Sequence, residues 1–368
     1  MDSIKQVIIL FIFLSCLFPT VAEVKVTDSE TGLPLSKASV FDKNGSLIAI
    51  TDENGIVPSD IKKSSYPLNI RYVGFNPVEV TTPEAGVISM TEFSYELPEV
   101  TIDTESINIL YLTLYVRNYG TRVREQDTIN IFNEKIIDLM FPMTKKAKIK
   151  GWKKGRVLAQ RSYGRGWNAT TDTTIYIEEN DGSSYTYRID DKFVVPKEIL
   201  AGNSRHEEVP GKYCVKEIWD SKGDNYYLHK DMLADHKDHK YTPAITKMLG
   251  MTMTLTEEAY DFKFDKNGKA QLSPEDLEQV TTHWNLIIDG KLAKLAYETK
   301  KPIVRHGYGE MFVIDRAYLT AEEAKELKKE QPFIEASSFK APDFIPLPPP
   351  EMQRIKDDME SRMNKTKK

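Results

Sequence analysis

Cysteine is nearly absent: the 368 residues contain two, Cys16 and Cys214. A disulfide framework is therefore excluded as the source of stability, and the fold has to rest on packed cores. An excess of basic charge is missing too. Lys and Arg number 50 against 55 Asp and Glu, a net charge of -5, which offers no field for nucleic acid. Apolar runs are short beyond residue 19, and no repeat of 20 to 50 residues recurs. None of the six histidines begins His-x-x-Glu, and His-Glu-x-x-His is absent, so the metallopeptidase pattern is lacking. No Gly-x-Ser-x-Gly elbow and no Gly-x-x-x-x-Gly-Lys loop occurs, which removes the serine-hydrolase and NTPase motifs. No cofactor is expected, and the motif survey favours a non-catalytic protein.

What is present starts with VIILFIFLSCLF, an apolar run behind the lone lysine of MDSIK and too short to span a bilayer comfortably. Residues 1–22 read as a signal peptide: Pro19 breaks the run, Thr20-Val21-Ala22 supplies small residues, and the mature chain is expected to begin near Glu23. Leu14-Ser15-Cys16 offers a second reading, in which Cys16 is lipidated and retained; Leu17-Phe18-Pro19 argues against it by continuing the apolar segment. The whole chain, 29% charged and 40% hydrophobic, has the balance of a soluble globular protein and is long enough for two substantial cores.

Residues 23–102 contain VKV, KASVF, SLIAIT, PLNIRYVGF, PVEVTT and VISM, short β-type runs separated by Gly, Pro, Asn and Asp. Asn44-Gly45 and Asn54-Gly55 can adopt the positive φ of tight turns. Four elements occur in order: Thr31-Gly32-x-Pro34-Leu35-x-x-Ala38-x-Val40, Thr51-Asp52-x-x-Gly55, Gly74-Phe75 and Leu97-Pro98-Glu99-Val100. Together they resemble the carboxypeptidase-regulatory-like domain of the Bacteroidota cell envelope. The resemblance covers about a fifth of the chain. It implies a seven-stranded, transthyretin-like β-sandwich in an exported protein, and an accessory module more than an activity.

Residues 103–331 change texture. ILYLTLYVRNYG, TINIFNEKIIDLMF, TTIYIEE and NYYLHK are longer runs of residues that favour extended backbone, and a larger antiparallel sheet follows from them. Helix starts are expected at Ser273-Pro274-Glu275-Asp276 and, as a capping box, at Thr320-Ala-Glu-Glu323. Residues 332–368 form a Pro-rich and charged tail, extended and solvated around Pro346 to Pro350 and then charged and helix-compatible. The expected class is mainly β: a sandwich followed by a larger antiparallel β-rich (α+β) domain with few short helices.

Five features bear on chemistry. KKAKIKGWKKGR is the strong basic patch, and Lys150, Trp152, Lys153, Lys154 and Arg156, extended by Trp167, form the candidate binding surface for anionic lipid or glycan. HKDMLADHKDHKY gathers His229, Asp231, Asp235, His236, Asp238 and His239, metal-ligand types interleaved with lysines; it reads as a surface turn after a strand. Asp265-Lys-Asn267-Gly268 has glycine too early for an EF-hand and reads as a hairpin turn between FKF and KAQL. The 18 tyrosines suit half-buried strands, and Cys214 suits a small buried position.

These observations point to a non-catalytic exported cell-envelope protein, periplasmic or outer-membrane associated, acting as a binding or scaffold module. Its partner would be an envelope protein or a glycan, with membrane association through lipidated Cys16 or through that partner. The alternative is a hydrolase acting on peptide or glycan through a motif-less carboxylate site in residues 103–331.

Overall fold

The computed structural model describes residues 23–83, 86–93, 107–125, 127–143, 158–168, 173–179, 193–209, 216–234, 236–244, 248, 250–329 and 339–366. The fold is mainly β with a small helical content, and it divides into two compact units, residues 1–92 and residues 93–368.

The first unit contains β1 (Lys25–Asp28), β2 (Ser39–Phe41), β3 (Leu47–Ile50), β4 (Leu68–Arg71), β5 (Val78–Val80) and β6 (Val87–Met90). Four of them form an antiparallel sheet in the order β3-β2-β4-β5, while β1 pairs with β6 in parallel. Turn chemistry fixes the connections. Asp42 accepts the N–H groups of Asn44 and Ser46 through its side chain, and Gly45 takes φ 77° between β2 and β3. Gly55, at φ 73°, is required twice over, because a Cβ there would fall 2.4 Å from the Val26 carbonyl oxygen. Buried Thr51 donates its hydroxyl to the Leu35 carbonyl at 2.7 Å and accepts the Ala38 N–H at 2.8 Å. Its side chain thereby replaces ladder bonds that the loop before β2 cannot make.

The second unit carries β7 (Ile107–Arg124), β8 (Asp127–Pro142), β9 (Leu158–Asn168), β10 (Thr173–Glu179), β11 (Phe193–Val194), β12 (Arg205–Glu208), β13 (Lys216–Lys222), β14 (Asn225–Asp231), β15 (Thr252–Asp265), β16 (Gln271–Leu272), β17 (Leu277–Asp289) and β18 (Ile303–Thr320). Ten of these form one antiparallel sheet in the order β10-β9-β8-β7-β18-β17-β15-β14-β13-β12; β11 and β16 pair separately. The helices are α1 (Lys197–Leu200), α2 (Lys291–Ala296), α3 (Ala321–Lys329) and α4 (Pro350–Thr366).

The large sheet is built on alternation. In β7, Leu110, Leu112, Leu114 and Val116 point to one face and join Ile137, Leu139, Phe262, Val280 and Met311 in the main core, which Phe193, Val195 and Ile199 help to close. Each fully buried aliphatic side chain there contributes about 1.5–3 kcal/mol. The residues between them, Tyr115 and Arg117 among them, point to the other face. The β13–β14 hairpin closes in two residues, Gly223 at φ 51° and Asp224, between the paired Lys222 and Asn225. At one edge of the sheet, β12 is four residues long with the sequence RHEE, a charged strand that blunts the edge.

Three local expectations need correction. The cap at Ser273 forms, with its side chain and backbone both bonded to the Asp276 carboxylate, but it starts only a 3-10 turn, Pro274–Asp276. The sequence that follows, LEQVTTHWNLIID, alternates as a strand, and pairing on both sides as β17 outweighs the local helix signal. Asp265-Lys-Asn267-Gly268 does not close a hairpin: Asp265 ends β15, and the strand after this connection pairs with β11 and not with β15. The segment around the prolines is not wholly solvated: Phe339 stacks on Tyr115, and Met352 and Ile355 of α4 are buried. The capping box at Thr320 and Glu323 is realised in both directions and starts α3.

Candidate functional site

The polar face of the large sheet holds a row of residues placed directly opposite one another on six adjacent strands: His229, Asp261, Thr281, Glu310, Arg117 and Glu134. All six are buried. Period-two alternation puts one residue of each strand into the row, and antiparallel pairing fixes the register.

The row resolves into cross-strand pairs. Asp261 is shared by His229, whose Nδ1 lies 2.7 Å from Oδ1, and by Thr281, which donates to Oδ2 at 3.3 Å. Arg117 donates Nε–H to Glu310 at 2.6 Å, and Tyr308 donates to the other oxygen of the same carboxylate at 2.9 Å. The Arg117 guanidinium also lies over the Phe312 ring, 5.4 Å from its centroid. Glu134 accepts from Tyr115 at 2.8 Å and forms an ion pair with Lys356 of α4 at 3.2 Å. Burial, and then the Glu134 carboxylate, push the Tyr115 phenol far above its ordinary range, so it stays a donor at any working pH.

A second cluster lies beside the row on the same face. A bulge at Thr256 brings Glu257 opposite Asn285. Glu257 takes His283 Nε2 at 3.2 Å on one oxygen and the Asn285 amide on the other, and Asn285 in turn meets His306 Nδ1 at 2.6 Å. Burial acts to lower the His283 pKa, but the Glu257 hydrogen bond and charge, helped by Asp261 and Asp231, outweigh it, and the net direction is up. Burial acts to raise Glu257, and its histidine partner outweighs that too, so the carboxyl sits below its ordinary value. His306 is lowered by burial. The arrangement is a pair between buried His283 and half-buried Glu257, with a second histidine one amide away. His283 Nδ1 is buried without a hydrogen-bond partner among the described residues.

Of the histidine-rich stretch, the start belongs to β14 and is not a surface turn, because His229 packs under the sheet's polar face against Asp261. His236, Asp238 and His239 are exposed beyond it, and His239 lies 3.2 Å from Asp231. Asp235 lies outside the described residues, and no group of three metal-ligating residues converges among the described ones. Lys150, Trp152, Lys153, Lys154 and Arg156 also lie outside the described residues, as does Cys214. Trp167 belongs to β9, its backbone opposite Phe132 and Thr174. Asp261, Glu257, His283, Glu310, Arg117 and Glu134 were not singled out from sequence. A partial signal is there: Arg117, Glu134 and Glu310 share parity with Tyr115, Phe132 and Tyr308 of their strands, whereas Asp261, Glu257 and His283 alternate with the aromatic residues Tyr260, Phe262 and Trp284.

No family model matches the chain, and no curated protein matches it. Among solved structures, the chain is similar to one described as lipid–protein interactions in lipovitellin, with a TM-score of 0.30 and 6% identity over 57% of this chain. The match spans 25% of the lipovitellin chain, and a likeness of that size carries no argument.

Proposed function

We propose that this is a non-catalytic exported protein of the cell envelope, a binding or scaffold module in which an N-terminal β-sandwich of the carboxypeptidase-regulatory-like type precedes a larger β-rich domain. The observation that carries the reading is how the charges of the polar face are used. Asp261, Glu257, Glu310 and Glu134 each accept from a donor on a neighbouring strand or on α4. A hydrolase needs a carboxylate or imidazole directed at substrate with its pKa tuned for proton transfer. Here those groups are engaged with one another, and Glu257 is shifted away from the range of a general acid. Such a network holds strands in register. The apolar leader and the four ordered elements of residues 31–100 support export and an accessory role, with a free start at Glu23 or a lipid on Cys16 as the two forms of the mature chain.

The test is expression in a Gram-negative host, fractionation of soluble and membrane material, and the mass of the mature N-terminus, followed by incubation of the purified chain with peptide and glycan substrates. The expected result is removal of the leader and no turnover. An intact N-terminus would end the export reading, and turnover abolished by Glu257→Gln would end the non-catalytic one.

A further inference from the structure

On the opposite face of the sheet, past the end of the main core, two glycines are paired across strands: Gly120 of β7 and Gly307 of β18. The Trp284 indole lies flat on Gly307, so close that a Cβ there would fall 2.2 Å from Cε2. Over Gly120 no side chain takes the equivalent place; an added Cβ would meet only the His306 carbonyl oxygen, at 3.1 Å. The result is a recess of about 180 Å³ floored by Gly120 and walled by Trp284, Ile131, Asn118, Asn133 and Arg305.

The chemistry of that recess is one-sided. Among the described residues its lining contains one fixed cation, Arg305, and no carboxylate, in a chain of net charge -5. Arg305 lies over the Trp284 ring, 5.8 Å from its centroid, and no carboxylate among the described residues forms an ion pair with it. Asn118 donates to Asn133 Oδ1 at 2.9 Å, which fixes the orientation of the Asn133 amide at the wall. The volume lies below the roughly 300–1,000 Å³ of drug-sized sites, so the ligand is small. A planar guanidinium fork matches a carboxylate in bidentate fashion, while the indole and Ile131 suit a compact carbon body.

We infer that the recess over Gly120 binds a small carboxylate-bearing molecule, its carboxylate on the Arg305 guanidinium and its body between Trp284 and Ile131. This deepens the binding reading by naming a ligand class. It stands apart from the export and non-catalytic tests, since a scaffold that fails here is still a scaffold.

The experiment is calorimetric titration of the full chain with galacturonate, acetate, galactose and inorganic phosphate, repeated on Arg305→Gln. Saturable binding of a carboxylate probe, absent for galactose and weakened at least about tenfold in Arg305→Gln, is expected; tenfold corresponds to about 1.4 kcal/mol. Galacturonate binding above acetate assigns the carboxylate to an acidic sugar, and equal binding assigns it to a free small acid. A second measurement needs no variant: the Trp284 indole N–H resonance must shift on titration with the carboxylate that binds. No saturable binding of either carboxylate, tighter binding of phosphate, unchanged binding by Arg305→Gln, or an unmoved Trp284 resonance overturns the inference.

Discussion

Arg117 and Glu310 stand 193 residues apart in sequence and meet at 2.6 Å on neighbouring strands, both buried. Their pairing joins the two longest strands of the sheet at its centre, β7 to β18. Removing one partner leaves the other charge buried. Arg117→Met is therefore expected to lower unfolding stability by about 3–5 kcal/mol, and Arg117→Met with Glu310→Leu by clearly less, because desolvation of both charges is then avoided. Urea denaturation of the two variants checks this. Equal losses would mean that the pair is worth more than its desolvation cost.

The indole against Gly307 makes a second case. Gly307→Ala puts a methyl group inside the ring's present position, and overpacking of this kind costs about 1–3 kcal/mol. Adding Trp284→Leu to the same chain should recover part of the loss. Thermal melting, with tryptophan emission to follow the indole's displacement, distinguishes the two.

His283 gives stability a pH dependence of known sign. Its folded pKa lies above the ordinary 6.5, so the folded state binds the proton more tightly. The contribution is full below about pH 6.5 and is lost as pH rises through the folded value. The stability difference between the native chain and His283→Gln should therefore shrink between neutral and alkaline pH. Glu257, whose folded pKa is lowered, gives the opposite slope on the acid side, present above its ordinary 4.5 and lost as pH falls through the folded value. Histidine resonances followed by NMR, beside urea titrations across pH, read both.

Phe339 covers the ring of Tyr115 and is 9% exposed. Phe339→Ala is expected to cost about 3 kcal/mol, the lower end of the range for a core aromatic. It should also raise exchange of the Tyr115 hydroxyl and of backbone amides in α4, measurable by hydrogen exchange.

Strands and turns were legible because their signals are local. Alternation in ILYLTLYV, Asn44-Gly45 and the Thr320 to Glu323 box each act within a few residues, and each appears in the structure as a strand, a turn and a helix start. The helix expected after Ser273 shows the limit of local reading: the cap formed, but strand partners far away in sequence decided what followed. The charge row was hidden for the same reason. Glu134, Asp261 and Glu310 look like isolated polar residues in β-type runs until strand order places them beside their donors, and that order is set by non-local pairing. The recess over Gly120 was unreadable because it depends on two glycines from different parts of the chain facing each other.

The strand order also sets a timetable. β7 finds β8 at once, since the two form a hairpin, but its other side waits for β18, whose first residue, Ile303, is almost the length of a domain further on. Until then a long row of backbone N–H and C=O groups stands open in the middle of what will become the sheet. Closing so large a loop is entropically slow, and the half-built sheet is the species at risk of pairing with another chain. Folding of the second unit thus cannot finish while β18, Ile303–Thr320, is missing from the chain.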